Sequence, residues 1–432
     1  MDSIYALSSG SVPSGVAVIR LSGPLAGAAL QALAGTPPPP RQAALRRIRR
    51  ADGNTIDRGL VLWFPSPSSE TGEDMAELQL HGSRAVVRAV FDVLGGLGLR
   101  LAEPGEFIRR AFRSGKLDLT EVEGLADLIA ADTEVQLCQA ARLSQGGLAQ
   151  QAEAWRESLL GLRAEVEARL DFSDEGDVAE ALPADFEARV GALRSGMTAA
   201  ISDATLGERV REGFRVAILG LPNAGKSSLL NALARRDVAI VTPEPGTTRD
   251  VLEVPLDLHG YPVLLFDTAG IRDAASKAEQ EGVRRARLTA ETADLVLWLE
   301  DGTLPADSPA PLLDRPVWRV RTKLDLLEQA QPQPDDLGIS VVSGAGIADL
   351  IAKLTEAAER SLGRGRALVT RQRQRDAISD AAKSLQGIEA GRAEEVIADL
   401  LRQASEAIGR LTGRVGVEDM LDRLFREFCI GK

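Results

Sequence analysis

Eight residues, Gly220–Ser227 (GLPNAGKS), constrain the middle of this 432-residue chain more than any other stretch. An apolar run, Arg215–Leu219 (RVAIL), precedes them, and Ser227–Leu233 (SSLLNAL) follows with helical character. The order is strand, glycine turn, helix, and the spacing G-x-x-x-x-G-K-S is that of a phosphate-binding loop. Gly220 and Gly225 let the backbone turn tightly, so that successive N–H groups converge on phosphate oxygens. The helix start adds its positive end. In such a loop Lys226 reaches the β- and γ-phosphates and Ser227 ligates Mg²⁺, while Asn223, Ala224, Gly225 and Ser228 complete the cradle. A bare glycine turn between a strand and a helix is the simpler alternative. The flanking pattern and the motifs downstream argue against it.

The length exceeds what one hydrophobic core serves, so two or three domains are expected. With 44% hydrophobic and 26% charged residues, the composition is that of an ordinary globular protein. No apolar stretch has membrane-spanning length, and the N-terminus (MDSIYALSSG) lacks a basic segment followed by an apolar one. The expectation is a cytoplasmic protein with no membrane partner. Two cysteines, Cys138 and Cys429, make no disulfide framework, which suits a reducing compartment. Two histidines leave little material for a His-based metal site or a Ser-His-Asp triad. The formal charge of −12 argues against nucleic-acid binding over the whole surface and leaves room for a local basic patch.

Residues 1–117 read as a small α/β unit. Ile4–Leu7, Val16–Leu21, Leu60–Phe64 and Ala76–Leu80 have strand character, the prolines at 37–40 form a stiff connector, and Ser83–Leu94 reads as a helix stopped by Gly95-Gly96. Residues 118–212 change character. Leu119–Leu143 and Leu148–Leu170 repeat apolar residues at three- and four-residue spacing, with a turn at Asp171–Asp177 (DFSDEGD). Helical character returns from Arg371 to Phe428. Between these, residues 213–362 alternate strands and helices, with strands expected at 215–219, 251–257, 262–266, 294–299, 317–321 and 339–342. The fold class expected is multidomain: an N-terminal α/β domain, an all-α domain formed by segments 118–212 and 363–432, and a P-loop α/β domain (213–362) inserted into it. Insertion is physically easy because domain termini often lie close together.

Four further pieces follow in the order a GTPase requires. Asp267-Thr268-Ala269-Gly270 ends an apolar strand, where Asp267 can hold Mg²⁺ through water and the Gly270 N–H can approach a γ-phosphate. Gly246-Thr247-Thr248-Arg249-Asp250 lies before it, and Thr248 can add a hydroxyl to Mg²⁺ only when triphosphate is bound, which makes a switch. Thr322-Lys323-Leu324-Asp325 follows the strand Val317–Arg321. There Asp325 would accept two hydrogen bonds from a guanine edge, and the Lys323 stem would cover the base. Ser340–Gly346 (SVVSGAG) would close over it. The order and the strand-end placement together predict a GTP-binding domain. Two departures stand out. The guanine motif usually begins with Asn, and Thr322 is expected to bond less well to neighbouring loops and to weaken guanine binding. After the D-x-x-G motif stands Ile271 rather than a water-orienting Gln. Hydrolysis then needs other help, and charge neutralisation between the β- and γ-phosphates is the strongest effect open to it. The Asn223 amide oxygen could hold a monovalent cation there. Glu279 and Glu281 could orient water, although a glutamate in so charged a stretch is most simply a solvated one.

Taken together, VAVIRLSGP at 16–24, ELQLHG at 77–82, PGEFIRRAFRSGKLDLTEVEGLADLI at 104–129, LDFSDEGD at 170–177, the phosphate loop, GTTRD, DTAGIR at 267–272 and the terminal CIGK at 429–432 resemble the MnmE (TrmE) family of tRNA-modifying GTPases over essentially the whole length. The resemblance implies a homodimer formed through the N-terminal domain, with 5-formyltetrahydrofolate or a related tetrahydrofolate bound there by Arg20, Glu77, Lys116 and Lys432. It implies a heterotetramer with the FAD-dependent protein MnmG. Together the two would install an aminomethyl or carboxymethylaminomethyl group at C5 of the wobble uridine of certain tRNAs. It implies GTPase domains that pair across potassium, held by Asn223, Thr242, Glu244 and Thr247, with Mg²⁺ held by Ser227 and Thr248. Glu279 matches the family's water-orienting glutamate, and acts with Lys226 and Asn223 as the catalytic set. Cys429 matches the family's C-terminal cysteine, for which a chemical role and a packed tail both stay open. Cys138 is expected in the core. The competing expectation is a ribosome-assembly GTPase switch without one-carbon chemistry, against which the Arg20/Glu77/Lys116 set and the CIGK tail argue.

Overall fold

Alternation of apolar and polar residues builds the first sheet. The computed structural model describes residues 2–171, 182–221, 223–236, 238–240, 252–267, 292–304, 315–327, 337–389, 391–415, 424–426, 428 and 431. The chain divides into two compact units, one of Met1–Ala126, Ala149–Glu153 and Ile408–Lys432, the other of Asp127–Leu148 and Ala154–Ala407.

In the first unit the elements are β1 (Ile4–Leu7), β2 (Ser14–Ser22), α1 (Ala26–Ala34), β3 (Ala44–Arg49), β4 (Thr55–Phe64), β5 (Met75–Gly82), α2 (Arg84–Gly96), β6 (Arg100–Leu101) and α3 (Glu106–Arg113). The sheet order is β3-β4-β5-β2-β1-β6, antiparallel except where β6 lies parallel to β1. Ile19 and Leu21 of β2 and Leu78 and Leu80 of β5 point to one face and pack with Leu30 and Leu33 of α1 and Val90 and Leu94 of α2. Ser83 caps α2 through its side chain, which accepts from the Val86 N–H at 3.1 Å. On the other face Ile4, Ala6, Met75 and Ala102 bury Phe107 of α3. The strand β3 escaped the sequence reading. Its residues ALRRIR bury only Ile48, because an edge strand keeps its charges in water.

The apolar stretch Leu119–Leu143 forms two helices rather than one, α4 (Leu119–Ala130) and α5 (Glu134–Ser144). Thr133 is extended (φ −130°, ψ 160°), and the Gln136 side chain reaches back to accept from the Asp132 N–H at 3.2 Å. That local bond competes with helix continuation. The core expectation for Cys138 fails: it is exposed on α5, whose buried positions are Gln139, Ala140 and Leu143. The remaining helices before the phosphate loop are α6 (Gly147–Asp171), α7 (Phe186–Ser202) and α8 (Ala204–Glu212).

The second unit holds a second sheet made of β7 (Phe214–Gly220), β8 (Leu252–Leu258), β9 (Tyr261–Asp267), β10 (Leu295–Asp301), β11 (Val317–Thr322) and β12 (Leu337–Gly338), with α9 (Lys226–Ala234) after β7 and α10 (Ile347–Leu362) after β12. The order is β12-β11-β10-β7-β9-β8, parallel except for the β8–β9 hairpin. Val216, Ala217 and Ile218 are all fully buried, as expected for a central strand covered on both faces. Leu229, Leu230 and Leu233 of α9 and Leu350 and Leu354 of α10 join that core. The sequence placed the last strand at 339–342, whereas it occupies Leu337–Gly338. Ser340 turns the chain: its carbonyl accepts from the Gly344 N–H at 2.9 Å and its hydroxyl from the Ser343 N–H at 3.1 Å. The β-branched pair Val341-Val342 therefore lies in a turn. Two helices follow, α11 (Gln372–Gln386), which packs along α7, and α12 (Glu394–Thr412). Among the described residues no helix is long and apolar enough to cross a membrane.

Candidate functional site

Ligands of open parallel sheets bind beyond the C-terminal strand ends, and here the phosphate loop, Thr322–Asp325 and Ser340 come together at such ends, with the backbone of Asp267 beside them. At the end of β7, Gly220 has φ 150°, and a Cβ there would lie 2.3 Å from the Leu299 carbonyl oxygen of β10, so glycine is required. Asn223 (φ 62°) and Gly225 (φ 87°) carry the loop through left-handed backbone into α9. The Lys226 ammonium folds back over the loop and donates to the Gly220 and Leu221 carbonyls, 2.9 Å each. Ala224 is buried beneath, while Asn223, Ser227 and Ser228 are exposed. A lysine ammonium beside a helix N-terminus is an anion site. The Ser227 hydroxyl and the Asn223 amide are hard oxygen donors of the kind Mg²⁺ and K⁺ accept. Asp267 ends β9 in register with Ile218, so its backbone lies beside the strand that feeds the loop.

At the guanine motif the structure shows what Thr322 is bonded to. Thr322 is 2% exposed, and its hydroxyl lies 2.9 Å from the Ala224 carbonyl and 3.1 Å from the Glu300 carbonyl. With one proton it donates to one of them at a time, and either bond ties this strand end into the floor of the phosphate loop. Lys323 adopts left-handed backbone (φ 59°), and its ammonium lies 2.6 Å from Asp301. That hydrogen bond, helped by Thr303, holds the Asp301 carboxyl down at about 2. Asp325 is exposed in a short turn, where its carboxylate accepts the Ser340 hydroxyl at 2.5 Å. Lys323, Asp325 and Ser340 are thus brought together. Thr242, Glu244, Thr247, Thr248, Thr268, Ala269, Gly270, Ile271, Glu279, Glu281, Cys429 and Lys432 lie outside the described residues.

The first unit carries a separate polar cluster. Arg20 lies within β2, in register with Glu77 of β5. Its guanidinium bonds Glu77 at 3.0 Å and Glu70 at 3.1 Å and lies 6.0 Å from the Phe107 ring centre. The loop carrying Glu70 is pinned from three sides: Ser22 donates to Glu73 at 2.7 Å, Arg110 to Glu73 at 2.9 Å, and the Ser114 hydroxyl to the Thr71 carbonyl at 2.7 Å. Lys116 is exposed in the turn after α3, alongside Gly72 of the same loop. Arg20, Glu77 and Lys116 therefore gather around residues 69–74. A guanidinium, a carboxylate and an ammonium suit a ligand with a hydrogen-bonding ring and a carboxylate tail. Glu70, Glu73 and Arg110 were missed in the sequence, where nothing but distant position relates them to Arg20. Behind the cluster, Glu106 is buried with Arg100 at 2.6 Å and Arg110 at 2.9 Å. Burial pushes its carboxyl up. The Arg100, Glu103 N–H and Arg110 hydrogen bonds outweigh that and hold it at about 2.

A family model described as MnmE helical domain matches residues 119–429, and one described as GTP-binding protein TrmE N-terminus matches residues 3–116. The chain belongs to the MnmE family. The tRNA modification GTPase MnmE of Rhodopseudomonas palustris is 50% identical over 439 residues, covering 100% of this chain and 99% of the relative. That of Azorhizobium caulinodans is 54% identical over 437 residues, again covering 100% and 99%. Among solved structures, a point variant of Aquifex aeolicus Era bound to GDP.AlF4- is 26% identical over 41% of this chain and 68% of that chain, with a TM-score of 0.27, a superposition too small to argue from. As an MnmE-family member this is a GTP-binding P-loop GTPase of tRNA modification. The full-length match favours that reading over a ribosome-assembly switch.

Proposed function

We propose that this GTPase is potassium-activated and works with the FAD-dependent protein MnmG. Together they build the 5-carboxymethylaminomethyl or aminomethyl group on the wobble uridine of certain tRNAs, using a tetrahydrofolate one-carbon unit in the cytoplasm. The observation that carries the reading is the presence in one chain of two chemistries: an intact phosphate loop whose D-x-x-G motif is followed by Ile271, and the Arg20–Glu77 pair with Lys116 beside it. In the GTPase site Lys226 holds the β- and γ-phosphates, Ser227 and Thr248 hold Mg²⁺, and Asp267 to Gly270 face the γ-phosphate. Asp325, Lys323 and Ser340 hold guanine. Asn223, Thr242, Glu244 and Thr247 hold potassium, which supplies the positive charge that a site without the glutamine needs. Glu279 orients water. In the N-terminal domain, Arg20, Glu77, Lys116 and Lys432 hold the folate, and the domain pairs with a second copy.

Coupling of the nucleotide to the helices has a path. The β8–β9 hairpin runs from Leu252 to Asp267, which pair with each other at one end of it, and in the sequence it stands between the two switch motifs. At its other end the Gly260 carbonyl accepts from the Val135 N–H of α5 at 3.1 Å. The test is GTP turnover at matched ionic strength in potassium and in sodium, on the wild type and on Asn223→Ala, with a parallel titration of 5-formyltetrahydrofolate into the wild type and Arg20→Ala. Potassium stimulation lost in Asn223→Ala, and folate binding lost in Arg20→Ala, are expected. Equal turnover in both salts overturns the cation role. Absence of folate binding to the wild type overturns the one-carbon role.

A further inference from the structure

Two hollows of about 490 and 470 Å³ adjoin where the start of β11 meets α10 and share Trp318 and Arg360. Their linings carry five basic side chains, Arg209, Arg315, Arg319, Lys353 and Arg360, against two acidic ones, Asp294 and Glu356. Asp294 is already engaged, accepting from the Arg215 N–H at 3.0 Å and pairing with Arg209 at 3.4 Å. Arg319, Lys353 and Arg360 are exposed and have no carboxylate partner among the described residues. Lys353 and Arg360 stand two turns apart on one stripe of α10. Trp318, half-buried, packs against the core shared with α10, and Arg319, next along β11, points to the other side of the strand while still lining the first hollow. In a chain of net charge −12, a run of cations that ion pairing leaves over is the opposite of what solubility alone would produce.

We infer that this face binds the phosphate backbone of the tRNA substrate, with Arg319, Lys353 and Arg360 on phosphates and the Trp318 indole beside them for an unstacked base. Arginine's planar fork matches phosphate oxygens, and aromatic surface among cations is the combination that single-stranded RNA uses. The inference rests on the tRNA reading above. It assigns the RNA a footing on the GTPase sheet, on a face formed by β11 and α10 rather than at the strand ends that hold the nucleotide. RNA there would load the GTPase domain itself, so that substrate could bear on the GTPase cycle.

The test is binding of unmodified tRNA to the full-length protein across a salt series, with the variant Arg319→Gln/Lys353→Gln/Arg360→Gln. Each cation removed from a phosphate lowers the slope of log K against log salt by roughly 0.7–0.9, so the triple variant should lower it by about 2 and bind about tenfold more weakly or worse at moderate salt. Its GTP turnover without tRNA should be unchanged. The reverse variant, Glu356→Lys, should tighten binding, a gain that a folding defect cannot produce. Wild-type affinity and slope in the triple variant, with normal binding by the wild type, overturn the assignment. So does a triple variant that keeps tRNA but no longer associates with the FAD-dependent partner, which would make this a protein-docking face. No tRNA binding by the wild type at low salt overturns the tRNA reading beneath it.

Discussion

Replacing Thr322 by Val tests whether the guanine motif and the phosphate loop act as one site. The side chain is 2% exposed, and its hydroxyl is shared between the Ala224 and Glu300 carbonyls. Valine keeps the branching and fills nearly the same space, so the perturbation is the loss of one buried donor. A buried acceptor left without its partner costs about 1–3 kcal/mol. The carbonyls retain a second lone pair and the new methyl gains some burial, so the expected net cost is about 1.5 kcal/mol, near tenfold in an equilibrium constant. That cost falls on the phosphate loop, because Ala224 immediately precedes Gly225, the residue from which α9 starts. Titration with a fluorescent GTP analogue should show about tenfold weaker binding in Thr322→Val, with a melting temperature about 2–4 °C lower. Thr322→Ser, which keeps the hydroxyl, should bind within about twofold of the wild type. If Thr322→Val binds GTP as the wild type does, the tie to Ala224 contributes nothing and the reasoning fails.

Two other predictions concern the phosphate-loop glycines and the buried Glu106. Gly220→Ala drives a Cβ to 2.3 Å from the Leu299 carbonyl, whereas at Gly225 the nearest atom would be 3.7 Å away, so Gly225→Ala meets only backbone strain of about 1–2 kcal/mol. Calorimetry and GTP titration should therefore rank Gly220→Ala as much the more damaging; the reverse order would refute the packing argument. Glu106, with its carboxyl held at about 2 in the folded state, stabilises the first unit above its unfolded value near 4.5, and this contribution, roughly 3 kcal/mol, is lost as pH falls from there toward 2. Urea unfolding of Glu106→Gln should show a deficit at pH 7 that narrows by pH 3. A deficit that is constant across that range would show that the Arg100–Glu106–Arg110 network does not set the acid response.

What the sequence alone determined is what consecutive residues can carry. The phosphate loop was legible because two glycines, a lysine and a serine at fixed spacing dictate both the backbone turn and the chemistry in it, and the structure keeps Lys226 over that turn. The strand-end positions of Asp267 and Thr322–Asp325 were legible because apolar runs mark where those strands stop. Tertiary structure decided what depends on register and on distant partners. Nothing in the sequence ties Thr322 to the phosphate loop, and only the fold sets its hydroxyl against Ala224, 98 residues away. Arg20 reads as a solvated charge until the β2–β5 register puts Glu77 opposite and the pinned loop adds Glu70. Cys138 and Val341-Val342 misled for the converse reason: helical periodicity and β-branching are local preferences, and the face a helix buries, or the turn a serine closes, is chosen by the neighbours the fold supplies.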